Sequence, residues 1–179
     1  MKSRYIAYVM LFLAGLWGGD QLVKLLFSNE GDITTAAQAQ RNRHVTDFSL
    51  HDLQGNMHQF SEWNGKVRVL NFWATWCPPC RRETPMFVEM QDQLGSRGLQ
   101  FIGIAIDDKQ KVQDFMDTFG VNYPMLIGTD DAIEVAEQYG NRFGALPWTV
   151  VIDRSGTIVH AQGGEFTRQK ADSVIRPLL

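Results

Sequence analysis

Stretches rich in apolar residues alternate with polar turns along most of this chain, and the turns separate predicted strands from predicted helices. Residues 67–72 and 99–106 have the apolar character of central strands that are covered on both faces. Residues 47–50 and 57–60 instead alternate in polarity around a polar turn that contains Gly55. This alternation predicts a hairpin with one buried face.

Four further stretches repeat apolar residues at helical spacing, so each predicts a helix with one face in the core. The first follows the strand at 67–72, and Gly95, Gly120 and Gly140 end the first three stretches. The apolar positions are Met86, Phe87, Met90 and Leu94; Val112, Phe115, Met116 and Phe119; Ile133, Ala136 and Tyr139; and Ala171, Val174, Ile175 and Leu178.

Near the C-terminus, residues 148–152 and 157–161 flank the turn Asp153-Arg154-Ser155-Gly156 and predict a second hairpin. Strands alternating with helices, then this hairpin and a closing helix, predict a single domain of the α/β sandwich class. We expect its sheet to be mixed, with parallel strands in the first half and antiparallel strands at the end.

The N-terminus has the charge order of an export signal. Lys2 and Arg4 precede an uncharged apolar run at residues 5–17, and a second apolar piece follows at residues 22–27. Because no clear cleavage site separates the two pieces, we expect residues 1–27 to form an uncleaved membrane anchor. Cleavage that releases a soluble exported domain is the alternative.

The rest of the chain divides into a tether and one domain. Residues 28–46 are polar with almost no large apolar side chain, so they predict a flexible tether. Residues 47–179 form the predicted folded domain. The whole chain has 17 basic and 20 acidic residues, a net charge of −3, which argues against a nucleic-acid-binding surface or a polybasic lipid-binding patch.

The chain's two cysteines, Cys77 and Cys80, stand between the strand at 67–72 and the helix that follows it. Two cysteines separated by two residues can close a small disulfide ring, and a helix start stabilises the thiolate of the first. Zinc is disfavoured because the four histidines show no ligand spacing, and Arg81 stands where a haem attachment motif needs His. A purely structural disulfide remains an alternative, although so small a ring adds little stability.

The segment around the cysteines, Val69-Leu70-Asn71-Phe72-Trp73-Ala74-Thr75-Trp76-Cys77-Pro78-Pro79-Cys80-Arg81-Arg82-Glu83, resembles the thioredoxin superfamily. Within it, the chain is similar to the membrane-tethered bacterial oxidoreductases of the TlpA, ResA and DsbE type. Tyr123-Pro124-Met125-Leu126 and Leu146-Pro147-Trp148-Thr149 also match that group. The resemblance implies a thioredoxin-like three-layer α/β sandwich with a mixed central sheet and an added N-terminal β-hairpin.

The same resemblance implies how client proteins bind. It places a cis peptide bond before Pro147, which packs against the cysteine pair, and pairs the backbone of Leu146 with the client chain. Trp76, Leu146, Pro147 and Trp148 are the expected client-contacting residues. Trp148 departs from the group, whose members usually have a small or polar residue there, and packing at the rim of the site is its alternative role.

Two further residues of the site concern proton transfer. Asn71 stands where thioredoxin has a buried aspartate, and the resemblance implies that Glu83 replaces that acid. Glu83 lies three residues after Cys80, on the same side of the predicted helix. We expect its negative charge to disfavour a nearby thiolate and so to favour a reductant. The alternative is a solvated acid that stabilises the helix dipole.

The resulting hypothesis is a protein-disulfide reductase without a cofactor. Cys77, expected to be the more exposed cysteine, attacks a client disulfide, and Cys80 resolves the mixed disulfide. The resemblance implies a membrane electron carrier of the DsbD or CcdA type as donor, apocytochrome c as a client, and a site on the periplasmic side of the bacterial inner membrane. A redox-inert binding module and a thiol peroxidase are the rival hypotheses.

Overall fold

The structure, a computed structural model, describes residues 43–179. The predicted anchor at residues 1–27 and most of the predicted tether lie outside these residues. Within residues 43–179, no helix combines the length and the apolar character that a membrane crossing requires. The fold described below is therefore that of the predicted catalytic domain.

Seven strands form one mixed sheet in the order β2-β1-β5-β4-β3-β6-β7. Among the described strands, the pairs β3–β4 and β4–β5 are parallel, and the other four pairs are antiparallel. Both predicted hairpins are confirmed, as β1 with β2 and as β6 with β7. The strands are β1 Ser49–Asp52, β2 Met57–Gln59, β3 Val67–Trp73, β4 Leu99–Ala105, β5 Met125–Ile127, β6 Trp148–Ile152 and β7 Ile158–Gly163.

Four α-helices connect or follow the strands of the described chain. Gly120 ends the second of them with a φ of 62°, a left-handed conformation that glycine adopts without steric cost. The helices are α1 Pro78–Leu94, α2 Lys109–Phe119, α3 Asp130–Gln138 and α4 Arg168–Ile175. Short 3-10 turns follow at Phe60–Trp63, Gly95–Arg97 and Arg176–Leu178.

Each face of the sheet has its own core, which gives the three layers of the predicted sandwich. Along β3, Val69 and Trp73 face the core formed with α1, α2 and α4, whereas Leu70 and Phe72 face the core formed with α3. All seven residues of β3 are buried. A strand covered on both faces needs no polar side, which explains why its sequence lacks strict alternation.

Two sequence predictions need correction. Thr46 lies in the predicted tether, yet its carbonyl accepts a hydrogen bond of 2.6 Å from the Tyr139 hydroxyl, and the Val45 amide donates to the Gly156 carbonyl. The folded domain therefore includes residues 43–46. Ile133 was assigned to the core face of α3, but its side chain is 42% exposed because Ala132, Val135 and Ala136 form the buried stripe.

Candidate active site

The two cysteines form a disulfide at the start of α1, directly after the central strand β3. Cys77 is the N-cap residue of this helix, and Pro78 and Pro79 occupy its first turn. Proline is tolerated there because the first N–H groups of a helix have no intrahelical acceptor. The sequence motif therefore fixes both the start of the helix and the position of the disulfide.

Both cysteines are buried in this oxidised state. Cys77 is 2% exposed and Cys80 is 1% exposed, so the expectation that Cys77 is the more accessible cysteine is not met. What distinguishes the two is the helix end. The Cys80 amide donates a hydrogen bond of 3.3 Å to the Cys77 sulfur, the arrangement that stabilises a thiolate on Cys77.

The expected cis peptide bond is present between Leu146 and Pro147. Pro147 lies immediately before β6, which pairs antiparallel with β3. Leu146 packs against the apolar cores of both faces of the sheet and remains partly exposed. This turn therefore lies at the end of the sheet where β3 ends and the chain continues to the cysteines.

Trp148 is buried in the core, so its side chain does not have the exposed position that the expected client contact requires. Its side chain is 1% exposed, and its indole N–H donates a hydrogen bond of 3.1 Å to the Tyr139 carbonyl. The side chain at the first position of β6 points into the α3 side of the sheet, where it packs with Phe72 and Tyr139. Trp148 is a core residue, and it does not pack at the rim of the site either.

Glu83 is buried under the start of α1, with 2% of its surface exposed. Its Oε1 accepts a hydrogen bond of 2.8 Å from the Asn71 side-chain amide, and its Oε2 accepts one of 2.8 Å from the Phe166 backbone N–H. Burial raises the pKa of this carboxyl from 4.5 to about 8, although both hydrogen bonds oppose the shift. The alternative of a solvated helix acid is wrong.

The raised pKa of Glu83 also means that this residue does not carry the negative charge expected of it at pH 7. At pH 7 a carboxyl with a pKa of about 8 is mostly protonated, so Glu83 carries little negative charge beside the cysteines in the disulfide form. It can instead give up a proton when a thiolate needs one. The predicted destabilisation of a nearby thiolate by a charged Glu83 therefore applies only above about pH 8.

Two of the residues that hold Glu83 could not be found from the sequence. The Thr149 hydroxyl on β6 accepts a hydrogen bond of 3.0 Å from the Asn71 side-chain amide, which also donates to Glu83. Phe166, whose backbone N–H donates to Glu83, belongs to the loop between β7 and α4. Both lie far from Glu83 along the chain, and neither residue type signals such a contact. Only Asn71, which replaces an acid in the matched motif, gave a signal at this position.

On the outer side of the disulfide, apolar side chains are exposed. Trp76, directly before Cys77, is 67% exposed, and Phe143 in the loop before Leu146 is 56% exposed. A cavity of about 190 Å³ lies between Trp76, Leu146 and α3. An exposed aromatic side chain beside a cavity with apolar walls is typical of a binding site.

A second cavity, of about 250 Å³, lies between the turn at Thr75 and helix α2. Arg81 borders it, with its guanidinium 5.5 Å from the Phe115 ring centre and 5.4 Å from that of Phe119. Arg82 instead pairs at 2.7 Å with Glu165, one residue before the amide that binds Glu83. Both arginines therefore make specific contacts beside the site.

These groups can carry out thiol–disulfide exchange. The Cys77–Cys80 pair stores two electrons in its dithiol form, the helix start favours a thiolate on Cys77, and Glu83 holds a proton near Cys80. Within residues 43–179, no group of three His, Cys, Asp or Glu side chains could hold a metal ion.

Comparison with known proteins gives one family and consistent relatives. Residues 42–161 match the AhpC/TSA family model. The ResA thiol-disulfide oxidoreductase of Geobacillus thermodenitrificans is 35% identical over 69% of each chain, and that of Halalkalibacterium halodurans is 33% identical over 75% of this chain and 74% of its own. The crystal structure of a thioredoxin-family thiol:disulfide interchange protein from Chlorobium tepidum is 32% identical, with a TM-score of 0.69 over 77% of this chain and 97% of its own.

Proposed function

Because the chain belongs to the AhpC/TSA family and is a thiol-disulfide oxidoreductase of the ResA type, we propose that it reduces disulfides in exported client proteins. The observation that carries the proposal is a disulfide at a helix start above a buried carboxyl that is mostly protonated at pH 7. In the dithiol form the same two cysteines carry the two electrons for the reaction, and the Glu83 carboxyl can exchange a proton in the same site. The rival of a redox-inert module leaves this arrangement unexplained.

The reaction balances within the site. The Cys77 thiolate attacks one sulfur of the client disulfide, forms a mixed disulfide and releases the other client sulfur as a thiolate, which takes up a proton. Cys80, after losing its proton, attacks the Cys77 sulfur and expels the second client thiolate. The client gains two electrons, and Cys77 and Cys80 become the disulfide seen in the structure.

Glu83 handles the proton at the second step. It shares the α1 face of Cys80, and with a pKa of about 8 the minor fraction that is ionised near pH 7 is a stronger base than an ordinary carboxylate, so that fraction can take the Cys80 proton as the thiolate forms. Neither Pro78 nor Pro79 can acidify Cys77 as a charged neighbour would. A thiolate that is only moderately stabilised leaves a reductant, which supports the direction of the proposal.

The proposal extends to place and partners. The charge order of Lys2, Arg4 and the apolar run at residues 5–17 supports an uncleaved anchor with the domain on the periplasmic side of the bacterial inner membrane. The resemblance to the TlpA, ResA and DsbE group supports apocytochrome c as a client. It also supports a membrane electron carrier of the DsbD or CcdA type as the source of electrons.

Reduction of insulin disulfides by the full chain tests the activity directly. We expect turnover with dithiothreitol as electron source and no consumption of hydrogen peroxide above the rate of the free dithiol. Insulin left intact by the reduced protein would contradict the proposal, and rapid peroxide turnover would favour a peroxidase. Protease access from the periplasmic side alone, in cells, tests the proposed placement.

A further inference from the structure

Two successive residues of helix α1 contact two successive residues of the loop between β7 and α4. The buried Glu83 carboxyl accepts a hydrogen bond of 2.8 Å from the Phe166 backbone N–H. One residue earlier in each segment, Arg82 and Glu165 form an ion pair, in which Nε and Nη2 of the guanidinium lie 2.8 Å and 2.7 Å from the Glu165 Oε2. The ion pair therefore lies directly beside a hydrogen bond that holds the proposed proton acceptor.

The two ends of this loop are held differently. After Phe166 the chain is fixed by helix α4, whose N-cap is Thr167. Before Phe166 come Gly163, the last residue of β7, and Gly164, which has a φ of 81° and no atom within 4 Å of the place where a side chain would begin. The Gly164 N–H donates a hydrogen bond of 2.9 Å to the Pro147 carbonyl, but glycine leaves the next peptide groups free to rotate.

The direction of the Phe166 N–H is that of the planar peptide group that joins Glu165 to Phe166. The Phe166 ring is buried and stacks with His160, with 5.7 Å between the ring centres, but a ring contact does not by itself fix the peptide group. The Glu165 carbonyl accepts a hydrogen bond of 3.1 Å from the Gln162 side chain. The contact with Arg82 fixes the Glu165 side chain to α1, so it restrains the same peptide group from the side of the helix.

Burial raises the pKa of Glu83, and the charges of Arg82 and Glu165 change it further in opposite directions. The Glu165 charge raises this pKa and the Arg82 charge lowers it, and because the paired groups lie 2.7 Å apart, the two effects largely cancel. Both side chains are also partly exposed, so water screens them. The Phe166 hydrogen bond lowers the same pKa more strongly than either charge changes it.

We propose that Arg82 and Glu165 are positioning residues of the active site. Their ion pair holds the Phe166 N–H on the Glu83 carboxyl, and this sets how readily Glu83 takes a proton from Cys80. The transfer converts the Cys80 thiol into the attacking thiolate and the Glu83 carboxylate into the acid, which releases its proton to water before the next turnover. The proposal rests on the reductase function proposed above.

The other titratable groups near Glu83 stay the same in every comparison below. Burial and the Glu83 charge both raise the pKa of Tyr123, so Tyr123 stays protonated near pH 7. His160 on β7 stacks on Phe166 and is present in all variants. In the oxidised protein Cys80 is part of the disulfide and does not titrate.

The test measures the Glu83 pKa in the oxidised full chain. The pH dependence of the infrared band of a protonated carboxyl, which Glu83→Gln should lack, reports this pKa. Arg82→Ala and Glu165→Ala should both raise it by about half a pH unit, because each loosens the Phe166 N–H. The charges alone would give opposite shifts, with a rise in Arg82→Ala and a fall in Glu165→Ala. Glu165→Ala is therefore the deciding variant.

Two further variants separate positioning from a general loosening of the surface. Glu89→Ala removes the exposed ion pair that joins α1 to Arg168 of α4, and it should leave the Glu83 pKa unchanged because α4 already fixes its partner. Arg82→Glu combined with Glu165→Arg restores the ion pair with its charges exchanged. This double variant should return the pKa to the wild-type value.

The reduced protein reports the same effect as a rate. At pH 7 a rise of about half a pH unit in the Glu83 pKa lowers the ionised fraction of its carboxyl about threefold. Each single variant should therefore lengthen the lifetime of the mixed disulfide with insulin by up to about threefold. In a Cys80→Ser background, the rate at which Cys77 forms the mixed disulfide should not change.

Failure of the proposed function would be seen separately, because a chain that does not reduce insulin still gives the infrared result. A Glu83 pKa that falls or stays unchanged in Glu165→Ala would overturn the positioning role. So would an equal shift in Glu89→Ala, or an exchanged ion pair that keeps the shifted pKa. A shifted pKa with an unchanged lifetime of the mixed disulfide would overturn the proposed effect on Cys80.

Discussion

The two sides of the disulfide differ in polarity and in exposure to water. On the inner side, where water is excluded, Glu83 and Asn71 are polar and hydrogen-bonded. On the outer side, where water has access, Trp76 and Phe143 are apolar and exposed. Each arrangement is unfavourable for stability, which is why buried acids and exposed apolar clusters are both typical of functional sites.

The comparison separates two tasks that one pair of cysteines must combine. The inner side controls the proton that accompanies electron transfer, because burial keeps the Glu83 carboxyl protonated up to about pH 8. The outer side offers exposed apolar surface at Trp76, where we propose that the client binds. Substitutions on the inner side should therefore change pH dependence, and those on the outer side should change client preference.

Removal of the cysteines affects both sides together and should have the largest effect. Cys77→Ser should lower disulfide reduction by about a thousandfold or more, because the attacking thiolate is lost. Cys80→Ser should lower turnover similarly but accumulate mixed disulfides with clients, measured by non-reducing electrophoresis. Equal accumulation in the two variants would remove the assignment of Cys77 as the nucleophile.

Glu83→Gln isolates the inner side. The pKa of Glu83 is about 8 in the folded protein and 4.5 as the reference value. Between pH 4.5 and 8 the folded protein therefore keeps a proton on Glu83, whereas the unfolded chain has already lost it. The free energy of unfolding should therefore fall as pH rises across this window, by about 1.4 kcal/mol for each pH unit from this group. Denaturant unfolding of the oxidised variant should lack this contribution.

The control for this experiment is Glu89→Gln, because Glu89 is an exposed acid of the same helix that pairs with Arg168. This variant should keep the dependence of the wild-type protein on pH. If Glu83→Gln also keeps it, Glu83 does not hold the proton, and the inner side has no special role in proton transfer.

Asn71→Ala should have a smaller effect on the pH dependence, and in the opposite direction. It removes the amide that donates to Glu83 and to Thr149, at a cost of about 1–3 kcal/mol in unfolding free energy. Because this hydrogen bond opposes the rise in the Glu83 pKa, its loss should extend the pH-dependent window to higher pH. Thr149→Val, which keeps the contact from Asn71 to Glu83, should destabilise the protein without extending that window.

Much of the fold could be predicted because its signals are local. The strand before Cys77, the two hairpins and the helix that ends at Gly120 each follow from a short run of residue types. The role of Glu83 followed from its spacing to Cys80 and from the matched motif. The motif could not predict the protonation state of Glu83, because that state depends on how deeply the side chain is buried in the folded protein.

The errors arose where one residue type fits two environments. A strand that is buried on both faces gives no alternation, so nothing in the sequence showed that Trp148 points into the α3 core. Ile133 has the spacing of a core residue, yet Ala132 and Ala136 take the core positions of α3. An exposed apolar residue such as Ile133 cannot be told from a core residue by helical spacing alone.

The midpoint potential of the Cys77–Cys80 pair tests the central claim most directly, because the direction of exchange depends on it. Equilibration with dithiothreitol or glutathione buffers at pH 7 measures it. We expect a midpoint more negative than about −200 mV, since neither residue that flanks Cys77 in the sequence, Trp76 or Pro78, is a cation or a histidine that would strongly stabilise its thiolate. A midpoint near −120 mV, the value of a strong oxidase, would contradict the reductase function.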